Sequence, residues 1–284
     1  MTPPPAPLDE LPLRILIAGS GKSGTTALFF RINNSMPPTT RALFEPQGRE
    51  PLATAVAEPG PLVVKVLVPL AADLLAELNT WFPRRVLIMR DWRDVIVSAV
   101  LYTSAYTYCW NQPEDRIRSQ LRLLMAKEAK TAEISLLSLL ASFWTDFERQ
   151  DFTAFAQGMM AQLEQLAMPP YDYFVLKYED LIAGRLIPLE SYLGLPLTHD
   201  DSVAGEFQRV VRTKGSGGWR DWFTAEDVSF FRPLFSASLA RFGYDSDDWR
   251  INPDATLSPA YGSSYFLRVL NERRRLGGLP EIEP

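Results

Sequence analysis

The chain of 284 residues has one cysteine and one histidine. A lone cysteine, Cys109, excludes an internal disulfide and fits a reducing compartment. With His199 as the sole imidazole, no site assembled from several His and Cys ligands exists, and no metal is expected. His199 lies in the polar turn "GLPLTHDD", where a solvated loop residue is the expectation rather than a catalytic one. The G-x-S-x-G elbow of Ser-His hydrolases is absent. No uninterrupted apolar run reaches the ~18 residues of a membrane span. The opening "MTPPPAPLDELPL" lacks the basic start and apolar centre of a secretory signal, so residues 1–12 read as a disordered leader and a cytoplasmic location is expected. A net charge of −5 speaks against nucleic acid as a partner, so an anion site here has to be a local gathering of cations.

What is present is a core-forming α/β pattern, with 46% hydrophobic residues. Residues 13–18 read as a buried strand and about 24–33 as a helix. The segment "NNSMPPTTRALFEPQGREP" is expected to be loop, being rich in Pro and Thr. "PLVVKVL" (61–67), "RRVLIMR" (84–90) and "YDYFVLKYEDL" (171–181) supply the second, third and fourth strands, with "DLLAELNTWF" and "DVIVSAVLY" as helical segments between them. This alternation implies a central parallel sheet with helices on both faces. Residues 114–167 are helical in pattern, a helical insertion around 111–168. "TAEDVSFFRPLFSASLARFGY" (224–244) opens on a cap-like Thr and two acids and continues as an amphipathic helix. One α/β domain over 13–250 is expected, with 251–284 as an irregular C-terminal extension holding a short helix near "YFLRVLNERRR" and solvated arginines.

The stretch "IAGSGKSGTTAL" (17–28) joins a strand to a helix through a glycine- and hydroxyl-rich turn carrying Lys22. Such a turn is an anion cradle: backbone N–H groups face the anion, the helix dipole favours negative charge, and the lysine adds a full positive one. An ATP-type loop, G-x-x-x-x-G-K-[ST], needs a glycine at position 16, where Leu16 stands. It also wants an acid directly after an apolar strand to support Mg²⁺, whereas "RVLIMRD" places Arg90 before Asp91. Strand ends of an open parallel sheet converge, which puts Lys22 and Arg90 at one edge.

"GKSGTTAL", "RVLIMRDWRDVIVS", "LKYEDL" and "VVRTKGSGGWRDWFT" together resemble sulfotransferases that use 3′-phosphoadenosine 5′-phosphosulfate (PAPS), over about residues 14–244. The resemblance implies a P-loop-like sulfotransferase architecture. Lys22, Ser23, Gly24, Thr25 and Thr26 would hold the 5′-phosphosulfate, and Arg90 and Ser98 the 3′-phosphate. Arg212, Lys214 and Gly215 would lie in a late loop over the nucleotide. Pairing of Arg90 with Asp94, and Ser98 as a plain helix residue, are the simpler readings of those positions. Tyr178 is similar to a tyrosine near the adenine in that family, and a buried strand-end aromatic is the equal alternative. The family's tryptophan after the first loop is replaced by Ala27-Leu28, so Trp219 or Phe223 is expected to pack the adenine.

The small-molecule branch draws its base from the histidine of K-T-H-L-P, and here that segment reads Lys65-Val66-Leu67-Val68-Pro69. The carbohydrate- and tyrosine-directed branches place a glutamate after the first helix, often as L-F-E-P, which "ALFEPQ" resembles through Glu45. The implied assignment is Glu45 as base, desolvated by Leu43, Phe44 and Pro46, Lys22 on the bridging oxygen of the leaving group, and Lys65 on the sulfuryl group. The acceptor would be a hydroxyl of a sugar, glycolipid, other lipid or other alcohol. "LYTSAYTYCW" (101–110) fits either an aromatic acceptor pocket or a helix core. An ATP-dependent nucleotide or small-molecule kinase, and a non-catalytic nucleotide-binding relative, are the alternatives.

Overall fold

A computed structural model describes residues 13–144, 147–198, 213 and 215–283. The chain divides into two compact units, one within residues 1–90 and 158–205, the other within 91–157 and 206–284.

The first unit is built on a five-stranded, wholly parallel sheet in the order β2-β3-β1-β4-β5. Its strands are β1 (Arg14–Gly19), β2 (Arg41–Phe44), β3 (Leu62–Leu67), β4 (Arg84–Met89) and β5 (Phe174–Lys177). Helices α1 (Thr25–Ser35), α2 (Glu50–Ala57) and α3 (Ala72–Trp81) are the crossovers between the first four. A parallel sheet covered by helices needs strands apolar on both faces, and β1, β3 and β4 are nearly continuous runs of buried residues. Leu28, Phe29 and Ile32 of α1 pack into the same core as Ile15, Ile17, Val63, Val86 and Ile88.

Arginines at the strand starts serve the fold. Arg14 donates to the carbonyl of Glu58, and Arg41 to those of Ala55, Glu58 and Pro59, at the end of α2. Arg85 does the same for Asn79 and Phe82 at the end of α3. The last carbonyls of a helix have no partner within it, and a cation suits that end of the dipole. Arg90, past the opposite end of β4, is left for other work.

The segment expected to be loop contains β2, a fifth strand. "RALF" is too short to show a period against its Pro and Thr neighbours, and pairing with β3 forms it, from Arg41 opposite Leu62 to Phe44 opposite Lys65. In chain order "FVLK" is therefore the fifth strand rather than the fourth, and it passes directly into α8 (Tyr178–Ile182), which is followed by α9 (Ile187–Leu193).

The second unit is helical. It holds α4 (Trp92–Thr103), a π-helical turn (Ser104–Cys109), α5 (Glu114–Ala129), α6 (Leu136–Phe143), α10 (Trp219–Trp222), α11 (Ala225–Arg241) and α12 (Ser263–Leu276); α7 (Arg149–Leu166) runs across the division of the chain. The helical run expected over 114–167 is thus three helices, α5 to α7, with breaks between them. The expected cap of α11 is a full capping box: Thr224 accepts from Asp227, whose carboxylate also takes the N–H groups of Leu136 and Leu137 at the start of α6. The tail is less irregular than its sequence suggests. In α12, Tyr265, Phe266, Val269 and Leu270 are buried, and Arg274, expected in solvent, is buried and donates to the carbonyls of Trp110 and Pro280. No helix among the described residues is long and apolar enough to cross a membrane.

Cys109 ends the π-helical turn fully buried, and burial pushes its thiol up to about 12. At pH 8 only about one molecule in ten thousand would carry the reactive thiolate. Ellman's reagent should leave the folded protein unlabelled for hours and titrate one thiol after denaturation. Prompt labelling of the native chain would contradict this placement.

Candidate active site

All five strands of the first unit deliver a side chain at or near their C-terminal edge. Lys22 follows β1, Glu45 follows β2, Lys65 lies in β3, Arg90 follows β4 and Tyr178 follows β5. In an open parallel sheet that edge is where ligands bind, at the point where successive connections leave in opposite directions. Here that point lies between β1 and β4.

The cradle is built by an unusual backbone. Lys22 is left-handed (φ 68°) and Gly24, the N-cap of α1, has φ 98°. The hydroxyl of Ser23 is turned inward, donating to the carbonyl of Ser20 at 2.8 Å. The first-turn N–H groups of an α-helix have no acceptor inside the helix. Gly24, as N-cap, has no side chain to cap this N-terminus, and the first turn carries no acid. The positive end of α1 is a place where negative charge is favoured.

Arg90 closes one side of the cradle. It is 6% exposed, donates to the carbonyl of Lys22 at 3.2 Å, and its guanidinium sits 4.3 Å from the centroid of Tyr178. Tyr178 is itself buried, with its ring against Gly24. Its ring is thus enclosed between Gly24 and the buried guanidinium of Arg90.

Lys65 closes the other side. It is 2% exposed, and its ammonium meets three groups: an ion pair with Glu45, the hydroxyl of Thr26 at 3.1 Å, and the face of Phe44, 3.8 Å from the ring centroid. Phe44 is held edge-on against Phe29 at 5.3 Å, which fixes this apolar floor. Burial lowers the Lys65 pKa, and the charge and hydrogen bond of Glu45 oppose that shift. Phe44, one of the apolar neighbours expected to desolvate Glu45, thus bears on the lysine, while the Glu45 side chain stays 34% exposed. Glu45 is left-handed (φ 49°), and its N–H continues the ladder by donating to the carbonyl of Lys65 at 3.0 Å. Backbone and carboxylate both tie it to one lysine. A non-glycine residue in that conformation is strained, on the order of 1–3 kcal/mol, and such strain gathers at functional sites.

Ser98 is buried on α4 in the second unit, and Gly215 is exposed. Arg212, Lys214 and His199 fall outside the described residues. Trp219 and Phe223 do not offer a ring to adenine. Trp219 is 1% exposed with the guanidinium groups of Arg93 and Arg220 each 4.4 Å from its centroid, and Phe223 is 3% exposed and stacked on Phe231. Both aromatics are consumed by core packing. The acids beside Arg90 also have structural work that their spacing does not reveal. Asp91 caps α4 and forms a bidentate pair with Arg93. Asp94 accepts from the N–H groups of Gly217 at 2.6 Å and Trp219 at 3.0 Å, holding the glycine-rich stretch to α4. In the aromatic run 101–110, Tyr102 stacks on Tyr106 at a centroid distance of 5.5 Å, and Tyr108 lies tilted against Trp144 at 5.2 Å.

The requirement for glycine at position 24 is testable. A Cβ there would come within 2.5 Å of the Tyr178 ring, on a backbone that L side chains rarely adopt. Gly24→Ala should lower the melting temperature by several degrees and weaken anion binding at least about tenfold, because the ring and Arg90 above it must shift. A variant of unchanged melting temperature and anion affinity would show that the cradle is looser than described.

The fold is similar to that of mouse sulfotransferase SULT7A1 complexed with PAP (adenosine 3′,5′-bisphosphate), with a TM-score of 0.54, 14% identity, and coverage of 80% of this chain and 84% of that one. Retinol dehydratase in complex with retinol and PAP gives a TM-score of 0.46 at 15% identity, covering 82% of each chain. The same enzyme in complex with androsterone and inactive cofactor PAP gives 0.45 at 14% identity, again over 82% of each. No family model and no curated protein matches the sequence. The five-stranded parallel sheet and the match to the first of these structures place the chain in the α/β sulfotransferase fold.

Proposed function

We propose that the chain transfers a sulfuryl group from PAPS to a hydroxyl of an organic acceptor, giving a sulfate ester and PAP. The observation that carries this reading is the buried Lys65 ammonium, held between the carboxylate of Glu45 and the cradle residue Thr26. An anion cradle alone fits any phosphate. A carboxylate and an ammonium side by side at its rim fit proton removal and charge neutralisation in one place.

Transfer of this kind has a loose, in-line transition state, so positioning and electrostatics do most of the work. The acceptor oxygen attacks sulfur while Glu45 takes its proton. The bond between sulfur and the 5′-phosphate oxygen breaks, and its electron pair stays on that bridging oxygen. Lys22 and the first-turn N–H groups of α1 face the charge that develops there. Lys65 neutralises the sulfuryl oxygens, and Arg90 binds the 3′-phosphate. A sugar, glycolipid or other lipid alcohol is the proposed acceptor class, following the likeness of "ALFEPQ" to the carbohydrate-directed enzymes.

Calorimetry tests the donor. PAP should bind more tightly than 5′-AMP by ~1.5–3 kcal/mol, the worth of charged hydrogen bonds to the 3′-phosphate. Equal affinities would overturn the assignment.

Glu45→Gln tests the base. Turnover, followed as sulfated acceptor by mass spectrometry, should fall roughly 10²–10⁴-fold with PAP affinity unchanged. Thermal unfolding should accompany the assay, since Glu45 also balances a buried charge. Near-normal turnover in a folded variant would remove Glu45 from this role.

A further inference from the structure

Resting on that reading, we propose that the base is masked by Lys65 until the donor arrives, and that the sulfuryl end of PAPS releases it by taking the lysine. The geometry is specific. Among the described residues the Lys65 ammonium, with three N–H groups, meets three neighbours: the Glu45 carboxylate, the Thr26 hydroxyl and the Phe44 ring. Two of these belong to the base and its strand end. The third stands in the first turn of α1, within the anion cradle. The ammonium therefore touches both places where negative charge belongs, the acid that receives a proton and the cradle that receives the donor.

The attraction it feels from each is strong, because water is nearly excluded from a side chain 2% exposed. Among the described residues Glu45 is the group that offers Lys65 a full negative charge, and the two form an ion pair. The carboxylate oxygen that accepts from this ammonium, Oε1, is not open to an acceptor hydroxyl while the pair holds. A sulfuryl group entering beside Thr26 presents anionic oxygens to the same ammonium and competes for it. The Lys65 side chain need not travel far, as the hydroxyl already marks the second position at 3.1 Å. Glu45 itself is fixed through its backbone, by the ladder bond to the Lys65 carbonyl and the Gln47 bond to its own carbonyl at 2.9 Å. Parting of the pair would leave the carboxylate in place and available. The order of events follows: donor first, then an active base, so acceptor is not deprotonated over an empty cradle.

This differs from a fixed catalytic pair in one consequence. PAP has the nucleotide and both phosphates but no sulfuryl group, so it should occupy the cradle without parting Lys65 from Glu45. PAPS should part them.

A zero-length cross-link reads the pair directly. A water-soluble carbodiimide activates the partly exposed Glu45, and attack by the Lys65 amine leaves an amide with net loss of one water. Peptide mass spectrometry then reports the linked peptides, and added glycine ethyl ester reports Glu45 left for an external amine. Binding of PAP and PAPS is first verified by calorimetry on the same sample, with Lys65→Met as the control that cannot cross-link.

The ligand-free and PAP-bound proteins should give the cross-link. Saturating PAPS should reduce it at least about fivefold while ester labelling of Glu45 rises, the response of a two-state pair to a ligand that favours one state. A cross-link that persists in the PAPS complex, that never forms without ligand, or that falls together with the ester labelling would overturn the masking proposal and leave the donor assignment standing. Failure of both nucleotides to bind would overturn both.

The affinity ratio gives a second measurement. Glu45 and the sulfuryl group compete for one lysine, so Glu45→Gln should tighten PAPS relative to PAP by about threefold or more. An unchanged ratio in a folded variant would contradict the competition.

Discussion

A buried ammonium has to be answered by an anion, and that constraint organises the first unit. Lys65 sits on β3 among residues that are otherwise apolar. Left alone in such a place it would lose its proton or unfold its surroundings. Glu45 answers it, and for this the chain accepts a left-handed glutamate at the end of β2. The edge strand β2, four residues long, is in effect the arm that brings the carboxylate to the lysine. Phe44 beneath the ammonium and Phe29 behind Phe44 complete the enclosure.

The two ends of the sheet divide the cations by task. At the strand starts, arginines tie down the carbonyl ends of α2 and α3. At the other end, Arg90 stacks on Tyr178 and holds the carbonyl of Lys22, so it supports the cradle backbone that it also charges. Gly24 permits this because nothing larger fits beneath the tyrosine ring. The net charge of the whole chain is negative, and the cations gathered at this edge are local, as the composition requires of an anion site.

Much of this was legible in the sequence. Long apolar strands, the turn around Lys22 and the order of strand and helix are one-dimensional signals, and they located β1, β3, β4 and α1 within a residue or two. The strand β2 was not legible, since four residues between prolines carry no period and depend on pairing with β3. The tail helix α12 was legible near "YFLRVLNERRR", but the burial of Arg274 was not, since it depends on the carbonyls of Trp110 and Pro280. Trp219 and Phe223 looked available for adenine because sequence shows an aromatic and not which of its faces is taken. The Glu45 and Lys65 positions were each singled out, but their direct pairing, twenty residues apart, required the register of two strands.

The central claim is that the edge formed by Lys22, Glu45, Lys65 and Arg90 is a sulfuryl-donor site. A crystal structure of the protein soaked with PAP tests it most directly. The account predicts the 5′-phosphate on the N–H groups of residues 22–26 with the 3′-phosphate on Arg90, and Lys65 still paired with Glu45. Nucleotide density seated elsewhere on the chain, with the cradle holding only solvent, would contradict it.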